Sequence, residues 1–281
     1  MKAITLTEHD DAGVLSLQDV PEPRPAADQL LIEVRAAGVD PADLADPRTE
    51  AAVPGHDLAG VVVGRGAEVT GFVVGDEVYA SAEGAYAERV TVAERDAAHK
   101  PAGLTFVEAA AVPHAAAAAL QALRAAGTGE GDVVLVHGAA GGVGHFAVQI
   151  ARALGAERVL GTAEEADHDF LRELGAEPVT EPAEPVDVAL DLTGGDTTAA
   201  ALREVRDPAR AVSTVNPAIT AAGGQHVTPQ PSAADLRWLA DLADRGLLRV
   251  ALHRELPLAE ATDAHRLLRS GRVRGKLVLT P

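Results

Sequence analysis

Residues 133–144 combine side chains and spacing whose joint use is phosphate binding. Val133, Val134, Leu135 and Val136 form an apolar run that passes through His137 straight into Gly138, Ala139, Ala140, Gly141, Gly142, Val143 and Gly144. Small residues allow a tight turn and close backbone approach. A helix opening on them presents unpaired N–H groups and a partial positive charge to a pyrophosphate. Glycines alone mark only turns; the strand before and the amphipathic helix after make this a dinucleotide cradle. About 20 residues past the last glycine, where such a unit selects its adenosine ribose, the chain reads Thr162, Ala163, Glu164, Glu165. A carboxylate at Glu164 would bond ribose hydroxyls and repel a 2′-phosphate, which favours NAD(H) over NADP(H). Glu164 and Glu165 equally suit the first turn of a following helix, where the helix dipole favours acids.

A cradle of this kind needs a sheet beneath it. From residue 133 onward, strand-like runs at 133–136, 158–161 and 186–191 alternate with helices, one reaching Leu154 and one around 169–174. Such alternation predicts βαβ units on a parallel sheet. The helix after the glycines repeats Val143, Ala147, Ile150, Ala151 and Leu154, one buried face at helical spacing. The first hundred residues differ: 30–36, 58–63, 77–80 and 87–92 read as short strands between Gly and Pro. Helical patterning begins near Phe106 and continues through the Ala-rich stretch to Leu123. The tail predicts a strand at 250–252, a helix around 259–269 and a closing strand at 276–279, and 177–185 reads as a surface connection.

Composition narrows the partners. The 281 residues carry 42 acids and 24 bases, a formal charge of −18. Phosphate backbones and anionic lipid are repelled by such a surface, so no nucleic acid or membrane partner is expected and a small-molecule substrate is. Cysteine is absent, which excludes disulfides, Cys-ligated zinc, iron–sulfur clusters and thiol nucleophiles. Redox chemistry must then come from a bound cofactor. No window approaches the ~20 apolar residues of a membrane span. The opening residues Met1, Lys2, Ala3, Ile4, Thr5 and Leu6 alternate like a strand rather than a signal peptide, and a cytoplasmic protein is expected.

Taken in order, several runs resemble the medium-chain dehydrogenase/reductase superfamily, in its zinc-independent quinone oxidoreductase and enoyl reductase-like branch. They are Ala37, Gly38, Val39, Asp40, Pro41, Ala42, Asp43; Gly55, His56, Asp57, Leu58, Ala59, Gly60; the 74–78 run; Gly84, Ala85, Tyr86, Ala87, Glu88; the cradle; and the terminal 271–279 run with Gly275 and Lys276. The resemblance runs nearly end to end. It implies an α/β protein: a GroES-like β domain carrying the substrate site (1–112), a Rossmann doubly wound parallel sheet (113–246), and a C-terminal return to the first domain (247–281). It further implies hydride transfer from NADPH or NADH to a quinone, an enone or an enoyl substrate, commonly by a homodimer. Carried over by motif, Gly138, Gly141, Gly142, Val143 and Gly144 contact the pyrophosphate, and Thr162 with Ala163 flanks the adenosine. Thr193, Gly194 and Asn216 follow later strands toward the nicotinamide.

Three departures from that pattern matter. Relatives that use NADPH often have a Ser or a basic residue where Glu164 stands, and no lysine lies between Lys100 and Lys276; Arg158 or Arg172 could instead reach a 2′-phosphate. The 44–54 segment is short for the family, which motivates a non-redox or cyclase-like descendant as an alternative. Asp40 stands where these relatives usually have Asn and zinc-dependent ones a Cys, so Asp40, His56 and His114 could form a metal site in a metal-dependent alcohol dehydrogenase. Without metal, Asp40 is the catalytic candidate: desolvation could keep it protonated to donate to a substrate carbonyl. It could equally orient a ribose hydroxyl or the backbone.

Overall fold

A computed structural model describes residues 1–7, 14–44 and 53–281. Most of the short 44–54 segment therefore lies outside the described residues. In chain order the first strands are β1 (Lys2–Thr7), β2 (Val14–Asp19), β3 (Gln29–Val39), β4 (Asp57–Arg65), β5 (Glu77–Ser81), β6 (Arg89–Ala93) and β7 (Ala97–His99). There follow β8 (Val133–His137), β9 (Arg158–Thr162), β10 (Glu177–Pro178), β11 (Val188–Asp191), β12 (Ala211–Ser213), β13 (Gln225–His226), β14 (Leu252–Pro257) and β15 (Lys276–Thr280). The helices are α1 (Phe106–Ala110), α2 (Pro113–Ala125), α3 (Gly144–Ala153), α4 (His168–Leu174), α5 (Asp196–Glu204), α6 (Ala233–Asp244) and α7 (Ala261–Arg269).

Two compact units result. One comprises Met1–His114, Pro231–Gly246 and Val250–Pro281; the other comprises Ala115–Gln230 and Leu247–Arg249. In the first, β1 and β2 form an antiparallel ribbon, and a seven-stranded sheet runs β14-β15-β3-β4-β5-β7 with β6 also on β3. The long β3 carries β4 along one edge, while its other edge holds β6 beside the first half and β15 at the end. Alternate residues point inward: Leu30, Ile32, Val34 on β3, Leu58 and Val62 on β4, Leu277 and Leu279 on β15. This period of two fixes the register, since a slip of one would turn the apolar set outward.

The second unit is a six-stranded parallel sheet in the order β10-β9-β8-β11-β12-β13. Counted from β8, this is 3-2-1-4-5-6, the dinucleotide-binding order, and its switch point lies between β8 and β11. The expected all-β part and doubly wound parallel sheet are thus both present.

Local details differ from the sequence reading for physical reasons. Helical patterning from Phe106 is broken into two helices, because Pro113 disfavours helical backbone at the residue before it and starts α2 instead. A capping box of Thr105 and Glu108 opens α1. The supposed connection at 177–185 begins with β10, paired to β9. The tail strand is β14, later than 250–252. Helix α3 buries every residue from Gly144 to Ala151, not one face; its buried Gln149 bonds the Arg249 backbone in both directions, at 2.7 and 3.0 Å. Helix α6, read from sequence as part of 113–246, belongs to the first unit, where the Leu236 carbonyl accepts from the buried Tyr79 hydroxyl.

Candidate active site

In the second unit, β8 ends at His137 and the chain turns at Gly138, whose φ of +78° suits glycine. A Cβ at Gly144, the first residue of α3, would stand 2.1 Å from the Gly138 carbonyl oxygen and 2.7 Å from Ala139 Cα. Only glycine fits that approach. The turn is closed by Gly141 N–H on the Gly138 carbonyl (3.1 Å) and joined to β9 by Ala139 N–H on the Thr162 carbonyl (3.0 Å). Gly138 N–H also reaches Thr162 Oγ1 at 3.3 Å. Val143, at the helix entry, provides no side-chain cap; His145 N–H is taken by the Gly141 carbonyl at 3.1 Å, and the helix start remains a place that favours an anion. Gly141, Gly142 and Val143 are half-buried in the turn.

Thr162 and Ala163 follow at the carboxyl end of β9, half-buried, and Glu164 is exposed beyond them. Glu164 takes the N-cap position of the single turn Glu165–Asp167 without using its side chain as a cap. Its carboxylate is therefore not consumed by the helix start.

Thr193, Gly194 and Asn216 converge on a residue the sequence reading missed. Asp191, at the end of β11 and fully buried, accepts from Thr193 N–H (3.2 Å), Gly194 N–H (2.9 Å), Thr197 Oγ1 (2.7 Å), Thr198 Oγ1 (2.6 Å) and Ser213 Oγ (2.9 Å). Burial alone would raise this carboxyl; the hydroxyls of Thr198 and Thr197, the Gly194 N–H and the Ser213 hydroxyl outweigh it and hold the pKa low. Asn216 joins the network by donating Nδ2–H to Thr198 Oγ1 at 2.9 Å. A Cβ on Gly138 would meet Thr193 Cγ2 at 2.6 Å, so the β11 turn abuts the cradle. An Asp closing an apolar strand before Thr and Gly was the available signal. The structure thus brings the cradle, Thr162 and the 193–216 groups to the carboxyl ends of neighbouring strands at the switch point. That is where open parallel sheets bind ligands, and the backbone cradle fits a dinucleotide pyrophosphate.

The first unit gathers its ionisable groups into one cluster. Asp40, at the end of β3, is 3% exposed and accepts from Lys276 Nζ at the start of β15; the same ammonium donates to the Val39 carbonyl at 3.2 Å. Asp57 on β4 is fully buried and accepts His114 N–H at 2.8 Å. Burial, and then the charge of Asp40, push the Asp57 carboxyl well above the ordinary range. Asp40 goes the other way: burial would raise it, but the Lys276 charge, with help from His114 and bonds from Lys276 and Asp57, holds it low. Asp40 Oδ2 and Asp57 Oδ1 are both buried without a hydrogen-bond partner; a proton on the raised Asp57 carboxyl would let it donate to Asp40. Burial thus favours the protonated form at Asp57, while Asp40 is ion-paired with Lys276.

Beside this pair, Asp43 Oδ1 lies 2.6 Å from His56 Nδ1, while Asp43 Oδ2 accepts from the Asp40 N–H (2.8 Å) and the buried Tyr86 hydroxyl (3.0 Å). Burial lowers His114. The proposed metal set of Asp40, His56 and His114 does not fit these contacts. One Asp40 oxygen is engaged by the Lys276 ammonium, whose charge opposes a dication. Among the described residues, no three His, Cys, Asp or Glu side chains are grouped to hold a metal ion.

Comparison with known proteins matches residues 26–122 to the alcohol dehydrogenase GroES-like domain and residues 154–279 to the zinc-binding dehydrogenase family. The 2-methylene-furan-3-one reductase of Solanum lycopersicum is 32% identical over 100% of this chain and 79% of its own. The solved quinone oxidoreductase of Coxiella burnetii superposes with a TM-score of 0.92 at 32% identity, covering 100% of this chain and 99% of that one. The Escherichia coli quinone oxidoreductase complexed with NADPH gives 0.87 at 26% identity, covering 100% of both chains. The chain belongs to the medium-chain dehydrogenase/reductase superfamily, in its quinone oxidoreductase-like branch. It is an NAD(P)H-dependent oxidoreductase; among the described residues no donor set matches the zinc of one family description.

Proposed function

We propose that this enzyme reduces a conjugated carbonyl compound, a quinone, enone or enoyl substrate, with NAD(P)H and without a metal. The observation that carries the reading is the glycine-only cradle at the switch point of a 3-2-1-4-5-6 parallel sheet, in a chain whose relatives include a furanone reductase and quinone oxidoreductases.

Bound NAD(P)H supplies the hydride, and the hydride chemistry is the cofactor's own. Gly138, Gly141, Gly142, Val143 and Gly144 hold the pyrophosphate through backbone N–H groups. Thr162 and Ala163 flank the adenosine, and Glu164 accepts from its ribose hydroxyls. Thr193, Gly194 and Asn216, kept in place by Asp191, serve the nicotinamide end. The first unit takes the substrate, and its Asp40, Asp57 and Lys276 cluster sets the local field. The ribose assignment for Glu164 leans the enzyme toward NADH relative to NADPH-specific relatives. We further propose a cytoplasmic homodimer, checked by light scattering and fractionation; no helix among the described residues is long and apolar enough to cross a membrane.

The test is oxidation of NADH and NADPH followed by absorbance with a panel of quinones and enones. Turnover with at least one class is the expected result. Tight dinucleotide binding with no turnover across the panel would favour the non-redox descendant instead.

A further inference from the structure

We propose that His137 is a positioning residue for the dinucleotide: held by Glu204, it fixes the Thr162 hydroxyl and through it the first peptide of the glycine turn. The proposal rests on the cradle reading above and adds to it a buried imidazole that acts through Thr162.

All of these residues lie in the second unit. His137 closes β8, is 4% exposed, and stands in register with Thr162 at the end of β9. A buried imidazole ending an apolar strand needs partners on its ring nitrogens, and both have one. Nε2 lies 2.8 Å from a Glu204 carboxylate oxygen at the end of α5, and Nδ1 lies 3.3 Å from Thr162 Oγ1. A carboxylate only accepts, so Nε2 carries a proton, and Nδ1 of the neutral ring accepts the Thr162 O–H. The ring cannot turn without breaking both contacts.

Thr162 passes this constraint to the cradle. Its Oγ1 accepts Gly138 N–H at 3.3 Å and its carbonyl accepts Ala139 N–H at 3.0 Å, so two successive peptides of the turn hang on one residue. The Gly138 carbonyl has no slack of its own: it accepts Gly141 N–H, and a Cβ on Gly144 would stand 2.1 Å from it. A tilt of the Gly138 peptide therefore moves the start of α3, the end of the helix that favours an anion. The chain from Glu204 through His137 and Thr162 to Gly138 holds that peptide before any ligand arrives, and order already present need not be created on binding. The Thr162 hydroxyl is thereby spent inside the protein, as donor to His137 and acceptor from Gly138. Thr162 braces the site without choosing between NADH and NADPH.

The experiment measures the Kd of NADH and of NADPH by titration calorimetry for the wild type, Thr162→Val, Thr162→Ser, His137→Leu and the double variant His137→Leu/Thr162→Val, with melting temperatures alongside. Thr162→Val keeps the side-chain shape and removes only the hydroxyl, so it carries the test even if His137→Leu fails to fold. Both Kd values should rise about three- to tenfold in Thr162→Val, the scale of one lost hydrogen bond, with their ratio unchanged. The kcat at saturating dinucleotide should fall far less than affinity does, and Thr162→Ser should restore most of the loss. The double variant should bind no more weakly than the weaker single one, because both cut the same chain. Unchanged Kd in Thr162→Val while Gly144→Ala weakens binding overturns the proposal and leaves the cradle reading intact. A shifted NADH-to-NADPH ratio in Thr162→Val, which would make the hydroxyl a ligand contact, or additive losses in the double variant overturn it as well. A wild type that binds neither dinucleotide overturns both.

Discussion

Replacing Lys276 by Met removes the one ammonium on which the buried carboxyl cluster is balanced. The Lys276 and Asp40 side chains are 2% and 4% exposed, so the ~0–1 kcal/mol of a surface pair is the wrong scale. Breaking a buried pair by removing one partner strands a charge and costs about 3–5 kcal/mol. Met retains most of the side-chain volume, so little of the loss is packing. At ~2–4 °C per kcal/mol for a chain of roughly this size, the melting temperature should fall by about 6–20 °C. The double variant Asp40→Asn/Lys276→Met removes the stranded charge and should recover much of the loss, with a coupling of about 2–3 kcal/mol in the cycle. The pH dependence has a definite sign. Asp40 is held below its ordinary range, so its contribution is present above the unfolded carboxylate pKa and is lost as pH falls through the folded one. The gap between wild type and Lys276→Met must therefore narrow in acid. Calorimetry from pH 7 down to about 2, through and below the ordinary carboxylate range, reads all of this. A drop below about 2 °C, or a gap that stays constant with pH, would refute the buried-pair reasoning.

Asp57→Asn mimics the protonated carboxyl. Because the Asp57 pKa is raised, the wild type should lose stability as pH rises above the ordinary carboxylate range, and the variant should lack that decline in urea titrations; a variant less stable than wild type at pH 8 would contradict it. Gly144→Ala forces backbone against backbone at 2.1 Å, so α3 must shift. Dinucleotide affinity by nicotinamide fluorescence should weaken about tenfold or more, consistent with overpacking of ~1–3 kcal/mol, and unchanged affinity would remove the cradle from the site. Glu164→Arg exchanges a repulsive for an attractive charge toward a 2′-phosphate and should raise the NADPH-to-NADH ratio of kcat/KM on the order of tenfold. A wild type that already binds NADPH tenfold better than NADH would contradict the role of Glu164.

The parts of this fold that were legible from sequence are those fixed by local rules. The apolar run at Val133 to Val136 followed by glycines needs only strand geometry and the space left by a missing Cβ, and the structure realises it at β8 and α3. Alternation in β3 and β4 was visible for the same reason. What escaped depends on pairings across long sequence separations. Lys276 meets Asp40 only because β15 returns to the end of β3, so no spacing rule near Asp40 could show that its charge is already taken. Burial all around α3 was equally invisible, since periodicity reports one face while Gln149 is satisfied by Arg249 from a distant segment.

The protonation pattern of the cluster then follows from counting charges. Among the described residues, Asp40, Asp43 and Asp57 are three buried carboxyls; Lys276 bonds Asp40, His56 bonds Asp43, and burial lowers His114. Of such a set the least compensated carboxyl keeps its proton rather than stand as an uncompensated charge. Asp57 is the one that does, because its partner is a single backbone N–H, whereas Asp40 holds an ammonium and Asp43 accepts from His56, Tyr86 and the Asp40 N–H.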